Sequence, residues 1–477
     1  MSIAYFAPCP RGLEQALADE LAEIAIRPEV DELAAFEVGR TVPGGVHFFG
    51  TQGAAYAVNL HSRIASRVLM RLGARGYRSE DDIYTLAAAQ RWEDYFTPDE
   101  MIRVDVTAHK SPLQSLKFVG LRVKDGVCDR FRQRMGARPS VDTVSPDVRI
   151  YAYLTETDCT IYLDTTGEPL FKRGWREEKG EAPLKENLAA GILRLTGWTG
   201  AQGMPFYDPM CGSGTFLVEA AQRALGIAPG GQRAFACEWL RDHDAKRFKR
   251  LREAAADAAS AAMRHRPPVV AGADISTDML AYAAANWRRA GLPGEPMLKQ
   301  VDARFGKPPF DVPGVLLLNP PYGERITVRG AQGSRRRRPE DEGEDHQDDR
   351  DGTVFERASR AMGAMGAPRD DFRRPVREQR QPEPPPPVDP QEEAAANEFA
   401  QAFAGTLKRE FSGWQAFVFT GDLSMPRRMR LKESQRTPLY NGNIECRLFR
   451  FEMVKGGMRD RPARDADAAP KDDNADA

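Results

Sequence analysis

A turn with two glycines connects a strand pattern to a helix pattern near the middle of the chain. Met204 to Asp208 is typical of a short β-strand, Pro209 to Gly214 of a turn, and Thr215 to Leu225 of a helix. This order is typical of a parallel sheet that carries a ligand site at the carboxyl ends of its strands. From about residue 175, strand and helix patterns alternate, which predicts a doubly wound α/β domain.

The same turn suits the anionic end of a nucleoside cofactor. Gly212 and Gly214 let the backbone approach a ligand closely, and the following helix offers unpaired N–H groups. Asp274 ends the next strand pattern, where a carboxylate suits ribose hydroxyls. Asp302 follows a third strand and could accept from an adenine amino group. The predicted cofactor-binding residues are Asp208, Pro209, Cys211, Gly212, Gly214, Thr215, Asp274, Ile275, Asp302, Ala303 and Asn319.

The strand pattern that begins at Val315 runs into Asn319-Pro-Pro-Tyr322, whose residue types suit methylation of an amino nitrogen. An exocyclic nitrogen on a base is conjugated and weakly nucleophilic. The Asn319 amide oxygen and the Pro320 carbonyl can accept from its NH2 group and turn the lone pair toward a methyl group. Tyr322 can stack on an extruded base. The motif predicts a methyltransferase that uses S-adenosyl-L-methionine, with Asn319, Pro320 and Tyr322 as catalytic residues.

Cys211 lies inside the cofactor turn, so we expect it to pack there and not to act as a nucleophile. The six cysteines form no CxxC pair, and no Cys/His cluster has zinc spacing, which favours reduced cysteines and no metal site. The sequence contains neither a secretory signal pattern nor a long apolar run, so we expect a cytoplasmic protein without a membrane span. Oligomeric state is not readable from these patterns.

Positive charge concentrates between Lys110 and Arg138, although the whole chain has a net charge of −1. Eight basic and two acidic residues there give a local charge of +6. A solvated helix face is the simpler interpretation of this charge. The motifs that predict methylation of a base nevertheless favour contacts with the phosphates of an RNA substrate. The predicted RNA-binding residues are Lys110, Lys117, Arg122, Lys124, Arg130, Arg132 and Arg134.

The patterns predict three folded units and two disordered segments. The units are a small α/β unit at 1–52, a basic RNA-binding unit at 53–166, and the α/β domain at 175–330 with 393–455. The second unit begins with a helix pattern from Ala54 to Leu72. A charged and proline-rich insert at 331–392 and a tail at 456–477 are predicted to be disordered.

These motifs resemble the THUMP-domain class I RNA methyltransferases, and among them the bacterial 23S rRNA guanine-N2 methyltransferases. The resemblance implies a ferredoxin-like unit, a THUMP domain and a Rossmann-like methyltransferase domain. It implies N2-methylation of a guanine, guanine 2445 of 23S rRNA, in the rRNA or a large-subunit precursor. The fused second methyltransferase domain of some relatives is missing here, so one methylation is expected. The resemblance rests on 44–48, 63–67, 123–125, 138–142, 146–150, 173–176, 182–190, 208–215 and 319–325.

Three other functions remain open at this point. A tRNA guanine-N2 methyltransferase would share the cofactor turn. Glutamine or DNA-adenine N-methylation would share the Asn-Pro-Pro-Tyr turn, but the basic N-terminal unit argues against protein and DNA substrates. A non-catalytic ribosome assembly factor would bind RNA without needing Asn319 or the cofactor acids.

Overall fold

The computed structural model describes residues 2–176, 184–200, 203–265, 269–320 and 390–454, and its strands form two seven-stranded sheets. The first sheet contains β1 (Ile3–Pro8), β2 (Phe36–Val42), β3 (Gly45–Gly50), β4 (Leu69–Gly76), β5 (Ile102–Ala108), β6 (Val148–Leu154) and β7 (Asp158–Asp164). The second contains β8 (Phe206–Asp208), β9 (Val270–Asp274), β10 (Met297–Gln300), β11 (Val315–Leu318), β12 (Gln415–Thr420), β13 (Gln435–Asn441) and β14 (Ile444–Glu452).

The described helices fall into two groups, one for each sheet. With the first sheet are α1 (Glu14–Ala25), α2 (Pro28–Ala34), α3 (Gln52–His61), α4 (Glu80–Ala88) and α5 (Leu116–Met135). The part of the chain that forms the second sheet contains α6 (Glu186–Leu195), α7 (Thr215–Ala224), α8 (Ala245–His265), α9 (Thr277–Arg289), α10 (Pro390–Glu410) and α11 (Met425–Met429). Among them, α8 contacts α2 and α3 of the first group. Short 3-10 turns lie at Trp92–Asp94, Ala236–Glu238 and Ala303–Phe305.

The first sheet joins the two predicted N-terminal units, because its strand order is β2-β3-β1-β4-β7-β6-β5. Strands β1 and β4 pair antiparallel, so the backbone ladder continues from one unit into the other. At the far edge, β5 pairs in parallel with β6. Helix α5 packs on β5; it begins after Ser115, which accepts from the Phe118 N–H, and ends at Gly136 in the left-handed conformation.

The second sheet confirms the predicted Rossmann-like class, with the order β10-β9-β8-β11-β12-β14-β13. Strands β8 to β12 run parallel, and β14 pairs antiparallel with β12. The chain moves outward from β8 to β9 and β10, and then returns to the other side of β8 with β11. Polar residues that follow β8 and β11 therefore meet at a topological switch point, where such sheets bind ligands.

The helix predicted from Ala54 to Leu72 is wrong over its second half. Helix α3 ends at His61, and Leu72 lies on β4. The apolar residues between them are buried in an irregular segment, where they recur at helical spacing without forming a helix. The N–H groups of Arg63 and Ile64 donate to the Glu20 carboxylate, which replaces the carbonyl acceptors of a continuing helix.

A buried ion-pair group joins the first sheet's domain to the second. The two carboxylate oxygens of Glu219 on α7 accept from Arg63 and Arg173, each at 3.1 Å. Arg173 also donates to the backbone carbonyl of Arg63 at 2.6 Å. Glu219 and Arg173 are buried, so removal of one partner would leave an uncompensated charge in the interior. The helix that begins at the cofactor turn is thus fixed to the N-terminal domain.

Candidate active site

The turn after β8 is closed by backbone hydrogen bonds. The Cys211 N–H donates to the Ala273 carbonyl, and the Gly214 N–H donates to the Cys211 carbonyl, both at 2.8 Å. Gly212 and Gly214 have φ angles of 52° and 83°, the left-handed region that favours glycine. A Cβ on Gly212 would meet no described atom within 4 Å, so the space above this part of the turn is free for a ligand.

Asp274 holds this turn through its side chain. Its Oδ2 accepts from the Gly212 N–H and its Oδ1 from the Ser276 N–H, both at 2.9 Å. Each oxygen keeps a further lone pair for a ligand hydroxyl. Ile275 follows with 60% of its surface exposed, which offers an apolar contact beside the carboxylate. The structure therefore brings together five predicted residues of the cofactor site, Cys211, Gly212, Gly214, Asp274 and Ile275.

Asp208 lies beneath the turn and is 2% exposed. Its Oδ1 accepts from the Met210 N–H at 3.0 Å. Burial, and secondarily the nearby charge of Asp274, raises the pKa of this carboxyl well above its ordinary range. Cys211 is also buried, and burial raises the pKa of its thiol, so the prediction of a packing role agrees with its environment.

Three residues that sequence reasoning missed support the turn from outside. The buried Asn286 side chain on α9 donates to the Ser213 carbonyl at 3.0 Å. The Arg176 guanidinium donates to the Thr215 hydroxyl at 2.5 Å, and its Nε lies 3.1 Å from a Glu186 carboxylate oxygen. These partners are 73 and 39 residues from the turn along the chain. No local sequence pattern predicts such contacts.

Asp302 follows β10 and caps a 3-10 turn that contains Ala303. Its carboxylate accepts from Arg304, with the shortest side-chain contact at 2.6 Å, and this bond lowers the pKa of Asp302. An adenine amino group would therefore share this acceptor with Arg304. Phe305, which the sequence analysis did not single out, is 71% exposed beside it and offers a flat apolar surface.

Asn319 follows the buried strand β11, and Pro320 after it is buried. The Oδ1 atom of Asn319 is itself buried but accepts no hydrogen bond from any residue that the structure describes. An acceptor in this state costs free energy unless a ligand donates to it. Strand β11, which ends just before Asn319, pairs in parallel with β8, so Asn319 lies at the same edge of the sheet as Asp208. Tyr322, the third predicted catalytic residue, lies outside the described residues.

The predicted RNA-binding residues lie on α5 and before it, but most have acidic partners. Those partners are Asp81 for Arg122, Asp125 for Lys124, Asp129 for Arg132 and Glu93 for Arg130 and Arg134. Asp81 and Glu93 lie outside the counted segment, so the charge of +6 overstates the local excess. For Lys110 and Lys117, no ion pair occurs among the described residues. Lys117 and Lys124 line a groove of about 890 Å³ between α5 and β5.

None of the helices within the described ranges is both long and apolar enough to cross a membrane. In the same ranges, no group of three His, Cys, Asp or Glu side chains has a metal-binding arrangement. All six cysteines are buried and unbridged.

Three family models match consecutive parts of the chain. A ferredoxin-like domain model matches residues 4–69, a THUMP domain model matches 77–164, and a model described as an RMKL-like methyltransferase domain matches 173–335. A putative RNA methyltransferase of Synechocystis is 30% identical over 94% of this chain and 96% of its own length. The ribosomal RNA large subunit methyltransferase K/L of Syntrophotalea carbinolica is 33% identical over 95% of this chain and 54% of its own length.

A solved structure of a putative methyltransferase with bound S-adenosylhomocysteine covers 96% of this chain, with 25% identity and a TM-score of 0.69. The fold and the residues at its switch point define a class I methyltransferase whose cofactor is S-adenosyl-L-methionine. The chain belongs to the family of THUMP-containing RNA methyltransferases. It spans about half the length of the K/L relatives that it matches.

Proposed function

We propose that this chain transfers a methyl group from S-adenosyl-L-methionine to the exocyclic N2 of a guanine in 23S rRNA or its large-subunit precursor. By resemblance to the L portion of the K/L enzymes, the guanine is number 2445. The observation that carries the proposal is the buried Oδ1 of Asn319 at the cofactor edge of the sheet, which has no hydrogen-bond donor among the described residues. An amino group is the donor that this acceptor lacks.

The residues fit the cofactor in three respects. The free space above Gly212 admits a ligand close to the backbone. The Asp274 carboxylate is fixed by two N–H groups and can accept from ribose hydroxyls. Ile275 and Phe305 expose apolar surface on either side of the acids, where an adenine ring can pack, and Asp302 with Ala303 would contact its polar edge.

The chain's own contribution to the reaction is alignment. The bound cofactor supplies an electrophilic methyl group on a sulfonium. Asn319 Oδ1 and the Pro320 carbonyl accept from the guanine amino group and direct the nitrogen lone pair toward the methyl carbon. The amino nitrogen would take the methyl group from the sulfonium, whose S–C bond would break, and would then release a proton to water. Because the product ammonium is acidic, no strong base is required. Tyr322 is proposed to stack on the base.

The groove between α5 and β5 is proposed to hold the RNA backbone. Lys117 and Arg103 line this groove. Arg103 donates to Asp105 at 2.9 Å, whereas Lys117 has no acidic partner among the described residues. The predicted RNA-binding residues with acidic partners would exchange those partners for phosphates, as counterions are exchanged in such complexes. Phosphate contacts of this kind position the substrate and do not select the base.

The test is mass mapping of methylated nucleosides. Total rRNA and tRNA from cells that lack the protein are incubated with the full chain and methyl-deuterated S-adenosylmethionine. We expect labelled N2-methylguanosine at one position of 23S rRNA and no label with Asn319→Ala. Label in tRNA alone would show that the substrate is tRNA and not 23S rRNA. Label on adenine, or no label on any base, would reject guanine-N2 methylation.

A further inference from the structure

A cleft with several arginines lies between the N-terminal domain and the methyltransferase domain, away from the cofactor turn. Its volume is about 140 Å³, room for several water molecules or one phosphate group. Arg27, His61 and Arg63 line it from the N-terminal side. Arg194 and Arg223 line it from the methyltransferase side.

Three of these arginines have acidic partners. Arg63 binds Glu219 at 3.1 Å, and its side chain is 12% exposed. Arg194 forms two hydrogen bonds to the Glu23 carboxylate, at 2.7 and 2.8 Å. Arg27 lies 3.5 Å from a Glu29 oxygen at the more exposed side of the cleft. These pairs leave the fourth cation without a carboxylate at ion-pair distance among the described residues, although the negative charges of Glu20 and Glu23 act on it from farther away.

Arg223 is that fourth cation. No described residue accepts a hydrogen bond from its guanidinium or forms an ion pair with it. Burial, followed by repulsion from Arg194 and Arg63, lowers the pKa of Arg223 to about 10. It lies in the last turn of α7, where the helix dipole favours a cation. The dipole does not explain why this cation faces two other guanidinium groups.

The acids that line the cleft are already engaged. One Glu20 oxygen accepts from the Ser62 hydroxyl at 2.7 Å, and the other accepts from the Arg63 N–H at 3.0 Å. Glu23 accepts both of its side-chain hydrogen bonds from Arg194. The hydrogen bonds of Glu20 and Glu23 are therefore made to groups other than the Arg223 guanidinium.

His61 adds a further donor. Its side chain is 2% exposed, and its Nε2 lies 4.0 Å from a Glu29 carboxylate oxygen and has no hydrogen-bond partner among the described residues. Burial, followed by the charges of Arg27 and Arg63, lowers the pKa of His61 to about 3, so the ring is neutral at pH 7. In the tautomer with hydrogen on Nε2, it can donate to an anion, and both domains then contribute to one site.

We propose that this cleft is a binding site for a phosphate-class anion, in which Arg223 and His61 donate to the phosphate oxygens. The ligand is a single phosphate group, supplied either by the RNA backbone or by free phosphate in solution. Arg223 lies near the opposite end of α7 from Thr215, about 12 Å along the helix axis. The site is therefore separate from the methyl-transfer site, and its occupancy would hold the two domains together.

Thermal unfolding of the full chain in sodium phosphate, compared with sodium chloride at equal ionic strength, tests the proposal. Phosphate is expected to raise Tm of the wild type in a saturable manner. Arg223→Gln is expected to weaken the apparent phosphate affinity about tenfold, whereas Arg223→Lys keeps part of it. Arg288→Gln, which removes an exposed arginine on α9, serves as the matched control and leaves the phosphate response unchanged.

Without phosphate, Arg223→Gln is expected to keep or raise Tm, because it removes a cation that its neighbours repel. A purely structural arginine would lower Tm in both salts. The proposal is overturned if the wild type shows no phosphate-specific rise, or if wild type and Arg223→Gln respond equally.

RNA binding over a salt series identifies the source of the anion. If the RNA backbone supplies the phosphate, Arg223→Gln releases about one ion fewer on RNA binding, which is read from a shallower slope of log affinity against log salt. If RNA affinity is unchanged while the phosphate response is lost, free phosphate is the ligand. Neither outcome depends on methyl transfer, so this test can fail while the proposed activity stands.

Discussion

The turns after β8 and β11 lie at the same edge of the sheet, but their polar groups are paired differently. In the first turn, backbone bonds, the Asp274 carboxylate and the Asn286 amide fix the chain before any ligand arrives. In the second, the Oδ1 atom of Asn319 has no donor among the described residues. Pro320 cannot supply one, since proline has no N–H.

This difference separates two tasks. A cofactor that binds in every cycle gains affinity from a site that is already ordered, because little entropy is lost on binding. A buried acceptor without a donor gains a hydrogen bond only when a substrate supplies the donor. The Asn319 oxygen therefore favours a base that carries an amino group over one that does not. Changes in the first turn should therefore affect cofactor affinity, and changes at Asn319 should affect binding and methylation of the target base.

The largest effect is expected for Asn319→Ala. It removes the acceptor for the amino group and should lower the single-turnover methylation rate by roughly 100- to 1000-fold. Cofactor affinity, measured by calorimetry, should change little. Asn397→Ala, which alters an asparagine on α10, is the matched control. A parallel loss of cofactor affinity would contradict the separation of tasks.

Asp274→Ala should have the next largest effect. It removes both the acceptor for the Gly212 N–H and the proposed ribose contact, so the cofactor Kd should rise by about 10- to 100-fold. Asp278→Ala, at an exposed site in the first turn of α9, should leave the Kd unchanged. An unchanged Kd in Asp274→Ala would remove this residue from the cofactor site.

Asn286→Ala should loosen the first turn without touching a ligand. It leaves the Ser213 carbonyl without its donor, so the free energy of unfolding should fall by about 1–3 kcal/mol in urea titrations. The cofactor Kd should rise less than in Asp274→Ala, and saturating cofactor should restore the transfer rate. A rate that stays low at saturation would give Asn286 a direct part in transfer.

Lys117→Ala alters neither turn and should affect RNA alone. The slope of log affinity against log salt should fall by about one ion, with the cofactor Kd unchanged. Lys299→Ala, on β10, is the control for the loss of one lysine. An unchanged slope would place the RNA backbone outside the groove between α5 and β5.

The smallest effect is a pH dependence from Asp208. Its pKa is raised in the folded protein, so the folded state binds more protons than the unfolded state above pH 4. Asp208 thus makes the protein less stable as pH rises toward the folded pKa. Asp208→Asn lacks this penalty, so its stability relative to the wild type should increase with pH in urea titrations. A pH-independent difference would contradict a raised pKa.

Local patterns predicted the parts of the site whose residues are close in sequence. The strand, the glycine turn and the helix start follow one another, and Asp274 ends the next strand, so the cofactor edge was predictable. The contacts of Asn286 and Arg176 were not, because they join residues that only the fold brings together.

The same limit explains two errors of interpretation. The segment from Ile64 to Val68 has helical spacing, but the Glu20 carboxylate takes the N–H groups that a helix would use. The positive charge of α5 was counted along the chain, whereas Asp81 and Glu93 reach it across space. Periodicity and charge counts omit partners from other elements. The proposed limits of the three units remain predictions.

A double-mutant cycle on Asn319 and the target base tests the central claim most directly. Wild type and Asn319→Ala are each titrated with the substrate RNA and with the same RNA carrying inosine, which lacks the 2-amino group, at the methylated position. We predict that inosine weakens wild-type binding several-fold and leaves binding by Asn319→Ala unchanged. Equal losses in both proteins would show that Asn319 does not accept from the amino group, and would contradict the proposed mechanism.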